Sequence, residues 1–355
     1  MTTISDVAKY AGVSISTVSN VINQNGKVKK ETEQIVLDAI KQLNYIPNQM
    51  ARGLKRSQTN IIGVIAEEVN TPLASNIIEG ICSYAESSGY IIHLCNLRIN
   101  TKVDAPKDSN YSLLEASEDF QKSVRTNLNT LLSSQISVLI YLGTYPRDVA
   151  NILPSLDIPV VYAYAYHSGS HTYAVNYDDF QGGEIATEYL ISKGHQRIGL
   201  ISGSINSYPT HRRMLGYQTA LMNHQLAFIP ECICTGDWKY ESGYEQCLRL
   251  LELSQPPTAI FAMSDMMAYG AMNAVRSRGL RIPEDISIIG FDNLEFSACT
   301  WPPLTTVRLP FQEIGQTACQ TAVTLLKGES PAEYARYLPC NLIERDSVSS
   351  CSTKK

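Results

Sequence analysis

The stretch that decides the fold of the amino-terminal part is Ile4–Asn23, ISDVAKYAGVSISTVSNVIN. Apolar residues recur at three- and four-residue spacing as far as Ala11, which is the pattern of one helix face. Gly12 then supplies the backbone freedom that a turn needs. Ser14 is of a residue type that caps the start of a helix. The pattern therefore predicts two short helices around a tight turn.

The predicted second helix has two different faces. Val18, Val21 and Ile22 form the apolar face, which we expect to point inward. The other face carries Ile15, Ser16, Ser19, Asn20 and Asn23. Small polar groups of this kind can donate to phosphates and touch base edges, as a recognition helix does. An ordinary surface hairpin is the alternative, but turn, cap and polar face together favour a helix-turn-helix.

A third helix is predicted over residues 31–43, and it completes a small three-helix core. Its expected buried stripe consists of Ile35, Val36, Ala39, Ile40 and Leu43. Pro47 follows and prevents the helix from continuing.

Residues 49–56, QMARGLKR, form a polar and basic stretch in which Gly53 weakens an isolated helix by about 1 kcal/mol relative to alanine. One interpretation is a linker between domains. The other is a hinge that folds on DNA, with Leu54 wedged into the minor groove and Arg52 on the phosphate backbone.

Charge is distributed unevenly along the chain. The first 60 residues contain eight Lys or Arg and four Asp or Glu, a net charge of +4. The whole chain carries −5, which leaves −9 for the remainder. A basic head on an acidic body is typical of a DNA-binding module attached to a part that does not bind DNA.

Length and composition predict a cytoplasmic protein of two or three domains. The chain has 355 residues, of which 44% are hydrophobic and 18% charged. We expect no membrane association, because no apolar run reaches 18 residues and Asp6 and Lys9 interrupt any signal-peptide core. The nine scattered cysteines are expected to be reduced thiols.

From Asn60 onward, short apolar runs alternate with helical patterns, which predicts parallel sheets. The predicted strands are 61–66, 90–95, 137–142, 159–163, 197–201, 231–234, 259–262 and 286–291, and the predicted helices are 73–88, 121–134, 181–193, 211–224, 240–253 and 264–278. Residues 99–119 are polar and are expected to form a loop. A weak internal echo between the two halves predicts two similar α/β lobes with a ligand in the cleft between them.

Polar and aromatic side chains near predicted strand ends are candidates for lining that cleft. Asp292 follows a strand and Arg213 lies early in a helix, and together a carboxylate and a guanidinium can bind paired sugar hydroxyls. The indole face of Trp238 can cover the apolar side of a pyranose ring. Tyr177 and Phe311 are candidates for further walls, although an isolated aromatic residue is more often core.

The sequence resembles transcription regulators of the lactose-repressor/galactose-repressor (LacI/GalR) family along nearly its whole length. The motifs that carry the resemblance are ISDVA (4–8), GVS (12–14), TVS (17–19), VIN (21–23), NYIPN (44–48), ARGLK (51–55), GHQRI (194–198), RMLGY (213–217), GFDN (290–293) and PPLTT (302–306). The resemblance implies a helix-turn-helix head and a hinge helix that inserts a pair of leucines into a palindromic operator. It also implies a dimer, with a body similar to periplasmic sugar-binding proteins.

Transferred position by position, the resemblance implies functional residues in both parts of the chain. The predicted DNA contacts are Ile4, Ser5, Ser14, Ile15, Ser16, Thr17, Ser19, Asn20, Asn23, Asn48, Arg52 and Leu54. The effector contacts implied by the resemblance are Arg213, Trp238, Ser264 and Asp292, and Tyr177 and Phe311 complete the predicted set as candidate walls. Two departures matter: Asn20 stands where many members carry arginine, and Lys29 stands where the third helix usually has a serine cap.

Enzymatic functions receive no support from the sequence. No nucleophile elbow, phosphate-binding loop or zinc-binding HExxH helix occurs, and the six histidines show no metal-ligand spacing. Asp178 and Asp179 are adjacent carboxylates that we interpret as helix N-terminal charges. We predict no cofactor and no metal.

The sequence thus predicts an all-α helix-turn-helix head over residues 1–48, a hinge helix or linker over 49–59, a two-lobed α/β body resembling periplasmic binding proteins over 60–348, and a disordered tail over 349–355. The predicted function is a homodimeric DNA-binding transcriptional repressor that binds a palindromic operator and responds to a small sugar effector. A purine or other non-sugar effector is the alternative within this class. A soluble solute-binding protein and a sugar-processing enzyme are the alternatives outside it.

Overall fold

The computed structural model describes residues 2–22, 28–45, 59–99, 117–169 and 171–351. The predicted hinge up to residue 58 lies outside these ranges, and so do four predicted DNA contacts, Asn23, Asn48, Arg52 and Leu54. Most of the predicted 99–119 loop lies outside as well, while Glu118 already begins a helix. The chain divides into two compact units at Thr59.

The head contains three helices: α1 (Ile4–Ala11), α2 (Ile15–Ile22) and α3 (Lys30–Gln42). Their shared core is formed by the buried side chains Val7, Ala8, Val18, Val21, Val36 and Ala39. The predicted turn is confirmed, because Gly12 ends α1 with a φ of 65°, a conformation that favours glycine. The predicted cap is confirmed too, since Ser14 Oγ accepts from the Thr17 N–H at 3.1 Å.

The prediction that Ile35 is buried is wrong, because 52% of this residue is exposed. The small head encloses only Val36 and Ala39 of α3 completely. Ile35 lies about 100° around the helix from Val36, which turns it away from this narrow seam.

The first turn of α3 lacks a side-chain cap, as expected from lysine at this position. Lys29 is the N-cap residue and its side chain makes no capping hydrogen bond. We expect Lys29→Ser to stabilise α3 by about 1 kcal/mol, because a serine hydroxyl can accept from an orphan N–H of the first turn. Amide hydrogen exchange across α3 should slow by up to about fivefold. Lys41→Ser, at the other end of the helix, is the control and should give no such slowing.

The body consists of two six-stranded sheets with helices packed on them. Its strands are β1 (Ile61–Ala66), β2 (Ile91–Asn96), β3 (Val138–Leu142), β4 (Val160–Ala163), β5 (Tyr173–Tyr177), β6 (Ile198–Ser202), β7 (Ile233–Thr235), β8 (Ala259–Ala262), β9 (Ser287–Asp292), β10 (Thr305–Arg308), β11 (Ala335–Leu338) and β12 (Asn341–Ile343). Its helices are α4 (Pro72–Ser87), α5 (Glu118–Ser133), α6 (Asp179–Ser192), α7 (Tyr208–Asn223), α8 (Tyr240–Leu251), α9 (Asp265–Ser277) and α10 (Phe311–Leu326).

The order of the strands makes the two lobes similar. The first sheet runs β11-β5-β4-β3-β1-β2 and the second β12-β10-β9-β8-β6-β7. All neighbours are parallel except β12, which pairs antiparallel with β10. In each sheet the first strand in the chain lies between the second and the third, so the strand order reverses there. Ligands of such sheets bind at this point, beyond the carboxyl ends of the strands.

The chain crosses between the lobes three times, after β5, after β10 and after β11. As a result α10 packs on α4 and on the first sheet, although it follows the second sheet in sequence. The predicted two-lobed arrangement with several crossovers is confirmed. It brings residues that are distant in sequence together at the carboxyl ends of the strands, the region that corresponds to the predicted cleft.

The prediction of a disordered tail from residue 349 is wrong for its first three residues. The Ser349 N–H donates to Ser287 Oγ at 3.1 Å, and the Cys351 N–H donates to the Lys193 carbonyl at 2.7 Å. The Ser349 carbonyl lies 3.1 Å from His195 Nε2. These bonds attach the segment to the second lobe. Residues 352–355 lie outside the described ranges.

Two further observations concern disulfide bonds and membrane-spanning helices. All nine cysteines are described, and none of them forms a disulfide. Within the described ranges, no helix combines the length and apolar character that a membrane span requires.

Candidate ligand-binding cleft and helix-turn-helix

The start of α2 presents the predicted recognition residues to solvent. Ser14, Ile15 and Ser16 are exposed, and half of Ile15 is accessible. Ser14 Oγ lies 2.7 Å from Ser16 Oγ and 2.8 Å from Thr17 Oγ1, so these hydroxyls form one cluster. One turn later Ser19 and Asn20 are half-buried, as is Thr17.

The start of α1 carries the other two described candidates. Ser5 is exposed and Ile4 is half-buried. Thr3 and Asp6 form a capping box, in which Asp6 Oδ2 accepts from the Thr3 N–H at 2.8 Å. Hydrogen bonds from Thr3 lower the pKa of Asp6. Contacts of these residues with DNA remain a prediction.

The predicted effector residues meet at the carboxyl ends of the strands in the body. Tyr177 ends β5 and Asp292 ends β9, while Ser264 follows β8 and Trp238 follows β7. Phe311 begins α10, where the chain has returned to the first lobe. The ring centroids of Tyr177 and Phe311 are 6.4 Å apart, and Tyr164 lies 5.5 Å from Phe311 in an edge-to-face arrangement. Together these three rings form an aromatic wall.

Arg213, from α7, is the central cation of the cleft and is only 3% exposed. Its Nε–H donates to Asp179 Oδ1 at 2.7 Å and an Nη2–H donates to the Tyr177 hydroxyl at 2.9 Å. An Nη1–H donates to the Met263 carbonyl. The guanidinium carbon lies 3.7 Å from the centroid of the Phe291 ring and 5.4 Å from that of Trp238. Arg213 is therefore held rigidly by the protein itself.

Asp179 is a site residue that the sequence analysis misinterpreted. Its neighbour Asp178 does cap α6, accepting from the Phe180 and Gln181 N–H groups at 3.0 and 3.1 Å. Asp179 instead is 3% exposed and forms the buried ion pair with Arg213. Successive residues of a helix point in different directions. Asp178 therefore faces the N–H groups at the start of α6, whereas Asp179 points into the protein toward Arg213.

Close packing of α6 on α7 brings Asp179 to Arg213. A Cβ added at Gly183 would lie 2.8 Å from the Arg213 Cα, and one added at Gly216 would lie 2.6 Å from the Glu184 nitrogen. Such distances are too short for real side chains, so glycine is needed at both positions. The close approach lets a short aspartate on one helix reach the guanidinium on the other.

Asp292 provides the second carboxyl group and sits on an unusual backbone. Its φ is 117°, and Tyr164, Trp238 and Asn293, which also border the cleft, have positive φ values. Such conformations concentrate at functional sites. Burial raises the pKa of Asp292 to about 8; Arg213 opposes this shift, and Asp265 and Asp179 add to it.

Asp265 anchors the segment that follows Asp292. The Leu294 N–H, the Ser297 hydroxyl and the Thr306 hydroxyl donate to its carboxylate at 2.8, 2.5 and 2.6 Å. Burial raises the pKa of Asp265 to about 6, although these hydrogen bonds lower it. Sequence reasoning missed this residue, whose hydrogen-bond donors come from two segments that follow it by about 30 and 41 residues.

The remaining candidates occupy the edge of the cleft. Ser264 is buried and its hydroxyl accepts from the Met267 N–H at 3.2 Å as the cap of α9. Trp238 is half-buried, with its ring packed over Gly203. Thr210 lies three residues before Arg213 on α7 and is only 4% exposed, yet its hydroxyl has no hydrogen-bond partner among the described residues. A buried hydroxyl on the same helix face as Arg213 is therefore a further candidate for ligand contact.

The raised pKa of Asp292 gives a pH-dependent stability with a definite sign. Between about pH 4 and 8 the folded body binds a proton that the unfolded chain releases, so the parent protein loses stability as pH rises. We expect Asp292→Asn, which carries no ionisable group, to be nearly as stable as the parent at pH 4 and clearly more stable at pH 8. Urea unfolding followed by tryptophan fluorescence measures this, since both tryptophans, Trp238 and Trp301, lie in the body. If the difference in unfolding free energy between Asp292→Asn and the parent did not change with pH, the raised pKa of Asp292 would be contradicted.

The carboxyl end of the first sheet contains a second buried ion pair, which sequence reasoning also missed. Glu67 follows β1 and is fully buried. Arg147 donates to both of its oxygens, at 2.8 and 2.5 Å, and Thr144 donates through its N–H and its hydroxyl, each at 2.8 Å. The Tyr141 hydroxyl completes the set. Every carboxylate oxygen is thus satisfied, and the segment after β3 is fixed to β1.

Comparisons with known proteins decide the family. Residues 3–48 match the model of bacterial regulatory proteins of the lacI family, and residues 187–348 match a periplasmic binding protein-like domain. A transcriptional repressor named PurR from Haemophilus influenzae (strain PittEE) is 35% identical over 354 residues, which is 99% of each chain. The chain belongs to the LacI family. A PurR from Pasteurella multocida (strain Pm70), also a LacI-family repressor, is 34% identical over 352 residues and 99% of each chain.

LacI-family structures show the same fold. The lac repressor dimer bound to operator and the anti-inducer ONPF superimposes with a TM-score of 0.79 at 30% identity, covering 98% of this chain and 99% of that one. The complex of the regulator CelR with cellobiose gives a TM-score of 0.65 at 27% identity, covering 98% and 100%. This LacI-family chain is a DNA-binding transcriptional repressor and not an enzyme. The family resemblance and the fold class predicted from the sequence are confirmed.

Proposed function

We propose that this repressor binds a palindromic operator as a homodimer and that a small ligand in the cleft sets its affinity for DNA. The observation that carries the proposal is the buried cluster of Arg213, Asp179 and Asp292. Arg213 belongs to the second lobe, while its partner Tyr177 ends a strand of the first. A ligand bound at this junction would contact both lobes and so favour one arrangement of them over another.

Two observations support the dimer. The related lac repressor is a dimer on its operator. In this chain Trp301 is 83% exposed, and Met266 and Tyr269 on α9 are also exposed. Large apolar side chains on a surface are typical of protein–protein contacts. A symmetric dimer would present two recognition helices to the two halves of a palindrome.

We propose a purine, rather than the small sugar expected from the sequence, as the effector. The relatives that match 99% of the chain at 35% identity carry the name PurR, which denotes a purine-responsive repressor. The aromatic wall of Tyr164, Tyr177 and Phe311 suits a planar ring, on which aromatic side chains stack or pack edge-on. Asp292 can accept hydrogen bonds from the edge of a heterocycle, and the Thr210 hydroxyl can donate or accept.

A sugar is the second candidate, and one observation favours it. The structure of the related CelR contains cellobiose. The half-buried indole of Trp238 could cover a sugar ring in the same way as a heterocycle. The identity of 27% is lower than that of the PurR relatives, which is why the purine is preferred.

Calorimetric titration of the full-length protein tests the effector class. The ligands are adenine, guanine and hypoxanthine against cellobiose and methyl β-galactoside. We expect one purine to bind with a Kd in the micromolar range, and binding to weaken at least tenfold, about 1.4 kcal/mol, in Asp292→Asn. Binding of a sugar and of no purine would overturn the purine assignment. Tight binding that Asp292→Asn leaves unchanged would place the ligand outside this cleft.

A further inference from the structure

The ion pair with Asp179 limits which ligands Arg213, the central cation of the cleft, can bind. Arginine recognises a phosphate or carboxylate through two N–H groups arranged as a fork. In this cleft Nε donates to Asp179, Nη1 to the Met263 carbonyl and Nη2 to the Tyr177 hydroxyl. The single Nε hydrogen is used by Asp179, so the fork formed by Nε–H and an Nη–H is not available to an anion, and one N–H remains on each terminal nitrogen.

The charged groups around Arg213 also make the site unfavourable for an anion. Asp179 and Asp292 both interact electrostatically with Arg213, and Asp265 interacts with Asp292. Arg345 approaches from the other side, where it donates to Asn293 Oδ1 and the Leu304 carbonyl at 2.7 Å each, and it interacts with Asp265. Asp179 neutralises Arg213, which leaves Asp292 beside a cation that is already paired. An anion in this buried place would lose its hydration without gaining an unpaired cation as its partner.

We propose that Asp179 is a specificity-determining residue that restricts the cleft to uncharged or positively charged effectors and excludes anionic ones, such as phosphorylated or carboxylated compounds. The inference rests on the proposed function, because it concerns the effector of the same cleft. It holds for purines and sugars alike, since it follows from charge and not from ring type. Asp292 then binds the donor groups of the effector.

Pairs of ligands matched in size test this selectivity. Purine-6-carboxamide is compared with purine-6-carboxylate, and glucuronamide with glucuronate, by calorimetry on the full-length protein. In the parent, whichever amide binds should bind at least tenfold more tightly than its carboxylate. In Asp179→Asn the guanidinium is no longer neutralised, so the preference should shrink at least tenfold. A merely structural role of Asp179 would weaken both members of a pair equally and leave their ratio unchanged.

Asp178→Asn is the matched control. It removes the same charge one residue earlier, and asparagine caps a helix as well as aspartate does. This variant should keep the preference of the parent. If purines fail and the sugar pair shows the preference, the purine proposal falls while the role of Asp179 stands.

Inorganic phosphate provides a test that does not depend on the effector. It should raise the Tm of Asp179→Asn more than that of the parent or of Asp178→Asn, because phosphate can then use Arg213. Phosphate that binds elsewhere, for example to the basic head, should contribute the same shift in Tm in all three proteins. Equal shifts in all three, or a parent that binds carboxylate as tightly as amide, would overturn the proposal.

Discussion

The Arg147→Met variant should unfold with a free energy about 3–5 kcal/mol below that of the parent. Glu67 is fully buried and accepts one hydrogen bond from each terminal nitrogen of the Arg147 guanidinium. Methionine fills a similar volume but leaves the carboxylate without its counter-charge, and only the Tyr141 and Thr144 donors remain. Urea unfolding of the body measures the loss.

The control for this variant is an exposed ion pair with the same separation. Arg278 Nη2 lies 2.5 Å from Glu252 Oε1, as Arg147 Nη2 does from Glu67 Oε1, but both side chains are about half exposed. Arg278→Met should therefore cost less than about 1 kcal/mol. Adding Glu67→Leu to Arg147→Met should recover much of the lost stability, because no buried charge is then left unpaired. Equal losses in the two single arginine variants would show that burial is not the cause.

The Arg213→Met variant should lose both stability and ligand binding. It leaves the Asp179 carboxylate buried without its cation, so we expect a loss of about 3–5 kcal/mol near neutral pH. The loss should be smaller at acidic pH, where burial helps Asp179 to take up a proton and the missing charge matters less. Ligand binding should disappear, because Arg213 also positions Tyr177 in the aromatic wall.

The adjacent residue offers a matched control for this second variant. Arg212 is partly exposed and lies 4.0 Å from Asp178 at the surface. Arg212→Met should change the stability by less than about 1 kcal/mol and keep the ligand response. If Arg212→Met and Arg213→Met behaved alike, the buried cluster would not be the centre of the cleft.

Local patterns predicted the head and most of the body well. Apolar spacing, Gly12 and Ser14 located α1 and α2, because each feature acts within one or two helical turns. The same applies to strands such as β1 and β8, whose apolar runs are buried along their whole length. The exposed Ile35 shows the limit: periodicity places a residue near the apolar face, but packing of the other helices decides which residues are enclosed.

β5 and the 16-residue helix α10 were not predicted either, but β10, β11 and β12 were missed because they lack such local features. β11 is largely exposed, and it joins the first sheet beside β5, which lies far earlier in the chain. β10 and β12 have four and three residues. Their place depends on pairing with distant strands, which no short window of sequence contains. The tail was mistaken for disordered for the same reason, since Ser349 and Cys351 are attached by distant partners.

In the cleft, the sequence revealed side chains at strand ends but not their pairing. Arg213 and Asp292 were predicted from their positions, and the structure places both beside the aromatic wall. Asp179 was misinterpreted because Asp178 offered a sufficient local explanation for two adjacent carboxylates. Glu67 and Arg147 are 80 residues apart, so only the folded sheet shows that they are partners. Gly183, four residues after Asp179, and Gly216, three residues after Arg213, are local signs that the two helices come close.

The measurement that tests the central claim most directly is operator binding with and without effector, in the parent and in Asp292→Asn. Fluorescence anisotropy is measured on DNA from the region upstream of the protein's own gene. We predict that the effector shifts the operator affinity of the parent at least tenfold, about 1.4 kcal/mol of coupling. Asp292→Asn should bind the same DNA without effector and show no shift, because the head is unchanged. A full effector response in Asp292→Asn, or no specific DNA binding by the parent under any condition, would contradict the account.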